Sequence, residues 1–133
     1  MGRINQFLDE AGIFFLASVD GKQAKVRPLG AHVEINDKVY FTVGDFKEVY
    51  RQMAEDPYIE IVAYKPENRT WLRYTGRAVF EDNKEVEEII LEHLPHLRRA
   101  YNEETGHKMM IFYLADARAE IRDMAGNIEV LEA

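Results

Sequence analysis

The chain has 133 residues, of which 24 are acidic and 17 basic, giving a net charge of −7; 47% are hydrophobic, 31% charged, and there is no cysteine. This length and balance fit one folded domain over residues 1–133 with a core that needs no staple, and they exclude a disordered chain. Lack of cysteine excludes disulfides, thiolate metal sites and thiol nucleophiles, the acidic balance weighs against nucleic acid, and no apolar run is long enough to span a membrane.

Residues 1–10 mix polar with apolar side chains and do not read as a signal peptide, so a cytoplasmic location is expected. Ile4, Phe7, Leu8 and Ala11 repeat at helical spacing, and Gly12 supplies a stop. Residues 13–19 form a short apolar run that fits a strand buried on both faces. Asp20-Gly21 is a hairpin signal. A strand over 23–35 follows, with its apolar positions even before Pro28-Leu29-Gly30 and odd after it, which predicts a bulge or kink at that point.

Asn36-Asp37 is a second turn, and the alternation of Val39, Phe41 and Val43 with Tyr40 and Thr42 predicts a strand ending at Gly44. Phe46, Val49, Tyr50 and Met53 then mark a helix, with Asp45 and Glu48 in capping-box positions and Asp56-Pro57 as its stop. Strands are expected over 58–64 and 70–81, separated by a turn. Asp82 is the expected cap of a helix carrying Val86, Ile90, Leu94 and Leu97, split by Pro95. After a polar loop, residues 109–122 read as a strand with Ile111, Tyr113, Ala115, Ala117, Ala119 and Ile121 on one side; after the turn Ala125-Gly126-Asn127, residues 128–131 are a candidate for a short last strand. The fold class is therefore mainly β (α+β): an antiparallel, six-stranded split β-barrel with a few flanking helices.

Three places could carry chemistry. Lys25-Val26-Arg27-Pro28-Leu29-Gly30 puts two cations on one side of a strand beside the kink, either to receive a phosphate or as a solvated face. The junction Phe41-Thr42-Val43-Gly44-Asp45-Phe46-Lys47 pairs a helix N-terminus with a lysine that is unfavourable for the helix dipole, which suits either an anion or a plain capped helix. Trp71 and Arg73 share a strand face and suit either a planar, acceptor-rich ring or a subunit interface. His93-Leu94-Pro95-His96 lacks a third ligand, so no metal is expected, and no catalytic residue stands out.

Together, Phe14-Phe15-Leu16-Ala17-Ser18-Val19-Asp20-Gly21, Lys25 to Gly30, Val39 to Met53 and Trp71 to Phe80 resemble the FMN-binding split barrels of the pyridoxamine 5'-phosphate oxidase-like family, over about residues 4–113. The resemblance implies FMN as cofactor, a homodimer with cofactor sites at the subunit interface, and an oxidoreductase acting on an unidentified small substrate. It also implies that Arg27 or Lys25 binds the phosphate with Lys47 and the Phe41-Thr42 region. The backbone of Val26, Pro28, Leu29 and Gly30 would run along the flavin, with Trp71 and Arg73 approaching from the partner or lining the substrate side. The alternative is a non-enzymatic module that stores or carries a flavin, a deazaflavin or haem.

Overall fold

The computed structural model describes residues 2–132. Its first helix, α1 (Arg3–Ala11), ends at Gly12, whose φ of 84° is open to glycine at no steric cost. Ile4, Phe7 and Leu8 of α1 are buried against one end of the barrel, as their spacing predicts. Polar contacts tie the same helix down. His32 sits with Nδ1 2.6 Å from Asn5 Oδ1 and Nε2 3.0 Å from Asp9, and Arg3 pairs with Glu129.

The strands are β1 (Phe14–Asp20), β2 (Gln23–Leu29), β3 (His32–Ile35), β4 (Lys38–Gly44), β5 (Tyr58–Lys65), β6 (Thr70–Phe80), β7 (Met109–Asp123) and β8 (Ile128–Leu131). Their order in the antiparallel sheet is β2-β1-β5-β6-β7-β4-β3, with β8 added to β7. The described residues thus hold eight strands where six were expected. The excess has two sources: the segment 23–35 is two strands rather than one bent strand, and residues 128–131 do pair.

The break at Pro28-Leu29-Gly30 lies where the pattern put it, but it is not a bulge. The chain leaves the β1 ladder after Leu29 and enters the β4 ladder at His32, so β2 and β3 stand at opposite ends of the strand order. Pro28 opposes Phe15 on the outermost strand β2, where a missing N–H breaks no inner ladder. The turn between β3 and β4 places Asn36 and Asp37 at φ of 51° and 65°, the left-handed pair that a tight hairpin requires.

The main core fills the barrel. Phe14, Leu16, Phe41, Ile61, Leu72 and Phe112 are fully buried there, and the Phe41 ring stacks on Phe112 with centroids 5.5 Å apart. A second cluster forms outside, where α3 (Lys84–His93) packs Val86, Ile90 and Leu91 on Val33, Tyr40, Met109 and Ile111. Pro95 ends α3 and opens a 3-10 turn (Pro95–Arg99), as expected. The N-cap of α3 is Asn83, not Asp82: the Asn83 side chain accepts from Val86 N–H at 3.1 Å.

Three further expectations are corrected by packing. Strand β1 is buried on one face only: Phe14, Leu16 and Ser18 are buried, while Phe15 is 45% exposed and Ala17 and Val19 are partly so. Strand β7 does not keep one phase. Phe112 and Leu114 face the main core before a register shift against β6, and Ala117, Ala119 and Ile121 face it afterwards. Asp116 takes the extra position at φ 53°. Gly76 faces this bulge, and a Cβ there would lie 2.9 Å from the Ala115 carbonyl oxygen, so only glycine fits the close approach. Third, α2 (Glu48–Glu55) starts after Phe46. Its N-cap is Lys47, without a side-chain cap, while Asp45 Oδ1 accepts from Lys108 N–H at 3.0 Å instead of capping the helix.

Candidate functional site

Alternation along β2 turns Lys25, Arg27 and Leu29 to the same side, opposite Ser18, Leu16 and Phe14 of β1. Arg27 reaches from there toward α2. Its Nη1 donates to the Leu16 carbonyl at 3.0 Å and to Ser18 Oγ at 2.8 Å, and its Nη2 donates to Gln52 Oε1 at 2.8 Å. All three acceptors are neutral. Among the described residues, no carboxylate lies within 4.0 Å of Arg27. Burial lowers its pKa from arginine's usual value, and the guanidinium still stays charged at neutral pH.

Beside it lies a cleft of about 450 Å³. Five of the sequence candidates line it: Arg27, Pro28 and Leu29 from β2, Thr42 from β4, and Lys47 at the start of α2. Val43, Gly44, Glu48, Val49 and Tyr101 complete the wall. The first amides of α2 have no intrahelical carbonyl to bond, so Glu48 and Val49 bring donors to this rim. Glu48, the acidic member, is engaged by Arg51 at 2.8 Å. Lys47 Nζ stands 5.1 Å from the Phe46 ring, which itself stacks on His107 at 3.7 Å. Tyr101 has its pKa raised, first by burial and then by Asp45, so its phenol remains protonated and can donate. In a chain of net charge −7, this is a cleft with two unneutralised cations and a helix start.

The other candidates lie elsewhere in the single chain. Lys25 is exposed on the Arg27 side of β2 but outside the cleft, and Gly30 is exposed beyond the end of β2. Val26 points the opposite way and is 67% exposed. Phe41 is fully buried in the barrel, so its side chain can touch no ligand, whereas its neighbour Thr42 reaches the cleft. Trp71 and Arg73 are on the outer face of the sheet, because Leu72 and Tyr74 between and beside them point inward. There Arg73 is bound by Glu60 at 2.8 Å, with Thr75 Oγ1 on the same carboxylate at 3.1 Å.

Sequence reading missed Ser18, Gln52 and Tyr101. Ser18 and Gln52 did carry a signal: each is a polar residue in a stretch that otherwise faces the core, and they are only 2% and 3% exposed. Tyr101 had none, since a loop residue's position relative to β4 is not encoded locally. Among the described residues, no group of three potential metal ligands comes together, and no helix is long and apolar enough to cross a membrane.

The sequence pattern of the family described as pyridoxamine 5'-phosphate oxidase matches residues 1–110. The chain belongs to the pyridoxamine 5'-phosphate oxidase-like family. Solved structures agree with this assignment. A NimC/NimA family protein from Clostridium acetobutylicum superposes with a TM-score of 0.87 at 32% identity, covering 97% of this chain and 89% of that one. A pyridoxamine 5'-phosphate oxidase-related, FMN-binding protein from Nostoc punctiforme gives a TM-score of 0.64 at 15% identity, covering 98% and 95%. An FAD-binding protein from Mesorhizobium loti gives 0.63 at 12% identity, covering 92% and 96%. No curated protein matches the chain. The last two structures are similar to this family member in fold alone.

Proposed function

We propose that this protein binds FMN in the Arg27–Lys47 cleft and acts as a flavin-dependent oxidoreductase on a small substrate, working in the cytoplasm as a homodimer. The observation that carries the reading is the convergence of Arg27, Thr42, Lys47 and the start of α2 on one cleft, with neither cation neutralised by a described carboxylate. Such a set suits a phosphate monoester: a planar guanidinium, an ammonium, a hydroxyl and helix amides. The cleft volume also lies in the range of roughly 300–1,000 Å³ usual for small-molecule sites.

The flavin, when bound, supplies the capacity to take up and release a pair of electrons. The chain's own residues bind and orient it. Arg27 and Lys47 would hold the phosphate, Thr42 would donate to it, and the backbone at Pro28 and Leu29 would face the polar edge of the ring. Pro28 has no amide hydrogen, so its carbonyl is the group it offers.

Support for a dimer comes from the outer sheet face. Cross-strand rows there place Val26 beside Ala17, and Phe15 between Pro28 and Val62, with Tyr64 beside Trp71. Val26, Phe15 and Tyr64 are 67%, 45% and 41% exposed, an apolar stripe that a second copy would cover. Trp71 and Arg73 lie along this face and would reach the flavin ring from the second copy.

Titration of cofactor-free protein with FMN, with riboflavin, FAD and haem in parallel, tests the binding half. Saturable FMN binding much tighter than riboflavin binding is expected; no saturable flavin binding overturns it. Mixing the loaded protein with NADH or NADPH tests the enzymatic half. Bleaching of the flavin band supports turnover, whereas a bound flavin that no donor reduces leaves a binding or storage module.

A further inference from the structure

The guanidinium of Arg27 is planar, donates only, and carries five N–H groups in a fixed fork. Two of its Nη1 hydrogens are taken, one by the Leu16 carbonyl and one by Ser18 Oγ. One Nη2 hydrogen is taken by Gln52 Oε1. Ser18 Oγ in turn donates to that same Gln52 oxygen at 2.7 Å. The direction of each bond is forced. Arginine cannot accept, so Ser18 must accept from Nη1 and spend its own hydrogen on Gln52, and the Gln52 amide must present its oxygen rather than its nitrogen.

Because Ser18 and Gln52 are bonded to each other, they grip the end of the fork between Nη1 and Nη2. The donors left over are Nε–H and the second Nη2–H, which share one edge of the plane, the edge that meets two oxygens of a phosphate or carboxylate at once. We infer that Ser18 and Gln52 are positioning residues for anion recognition: they fix the plane of Arg27 so that this edge is free for a phosphate monoester in the cleft. The inference rests on the phosphate-binding reading of the cleft and goes beyond it, because neither residue lines the cleft itself.

The geometry favours orientation over mere packing. Both side chains are almost fully buried, a costly place for polar groups unless their bonds are made. Both acceptors are also neutral. A carboxylate at either place would hold Arg27 equally well but would cancel the charge that a phosphate needs, as Glu60 does for Arg73.

The test is a pair of dissociation constants, for FMN and for riboflavin, in the wild type and in Ser18→Ala, Gln52→Leu and Gln52→Glu. Riboflavin shares the ring but not the phosphate, so a structural defect weakens both ligands and a lost orientation weakens only FMN. The expected result is FMN affinity lower by at least about tenfold in Gln52→Leu and Ser18→Ala, and lower still in Gln52→Glu, with riboflavin unchanged. If the wild type prefers FMN and the variants keep that preference, or lose both ligands in step, the positioning role is overturned. If the wild type itself binds FMN no better than riboflavin, the phosphate reading of the cleft fails first. Ser18→Ala, a small excision, keeps the test usable should the Gln52 variants not fold.

Discussion

Two arginines, Arg27 and Arg73, point to opposite faces of the same sheet and are held in opposite ways. Arg27 is held by a carbonyl, a hydroxyl and an amide, and keeps its full charge. Arg73 is held by the Glu60 carboxylate, within a face where Glu120 is likewise clamped between Arg118 and Arg122 at 2.8 Å on each side. The outer face is thus a surface of matched charges around an apolar stripe, suited to being covered. The cleft is a place where positive charge is kept in reserve, suited to being filled. The identity of an arginine does not separate these cases; the charge of its partner does.

The largest effect is expected at the core that both regions share. Phe41→Ala should destabilise the fold by about 3–5 kcal/mol, because the ring is fully buried between Phe14, Tyr74 and Phe112. Urea denaturation measures this, and a loss near zero would mean that Phe41 faces a ligand after all. Next, Arg27→Ala should weaken FMN by about 100-fold and leave riboflavin nearly unchanged, the loss expected for a charge-assisted pair of bonds. Equal weakening of both ligands would place Arg27 at the ring and not the phosphate.

Trp71→Ala should act in the converse way, weakening FMN and riboflavin together by several-fold through lost stacking of roughly 1 kcal/mol. Unchanged affinity for both, measured on dimeric protein, would keep Trp71 out of the site. The smallest effect concerns pH. The guanidiniums of Arg122 and Arg118 hold the Glu120 carboxyl below its usual 4.5. A depressed acid stabilises the fold above the unfolded value, and that contribution is lost as pH falls from about 4.5 through the lower folded value. Glu120→Gln should therefore flatten the acid limb of a thermal stability profile slightly; an unchanged limb would assign that loss to other carboxylates.

Most of the local structure was legible because it depends on nearest neighbours. Helical spacing located α1 and α2, period-two alternation located β4, β5 and β6, and Pro95 marked the split after α3. Caps were read less well. Asp45 and Asp82 have the right chemistry for an N-cap, but Lys108 took the first carboxylate and Asn83 took the second helix. In the site, the segments 25–30 and 41–47 were legible since a cation beside a proline kink and a lysine at a helix start are unusual in themselves. Their convergence was implied only by the family resemblance and not by the local pattern, and the roles of Ser18 and Gln52 exist only once β1 and α2 are packed beside β2.

By itself the sequence determined the class of fold, the place where the strand pattern breaks at Pro28-Leu29-Gly30, and the residue types available to a phosphate. Those follow from backbone propensity and periodicity, which act over a few residues. Tertiary structure alone decided that this break sends β2 and β3 to opposite ends of the strand order, that Phe41 is sealed inside while Thr42 reaches the cleft, and that Arg27 and not Arg73 is left without a carboxylate. Each of these depends on which strands pair and on which distant side chains then meet, and pairing is a choice made between segments far apart in the chain.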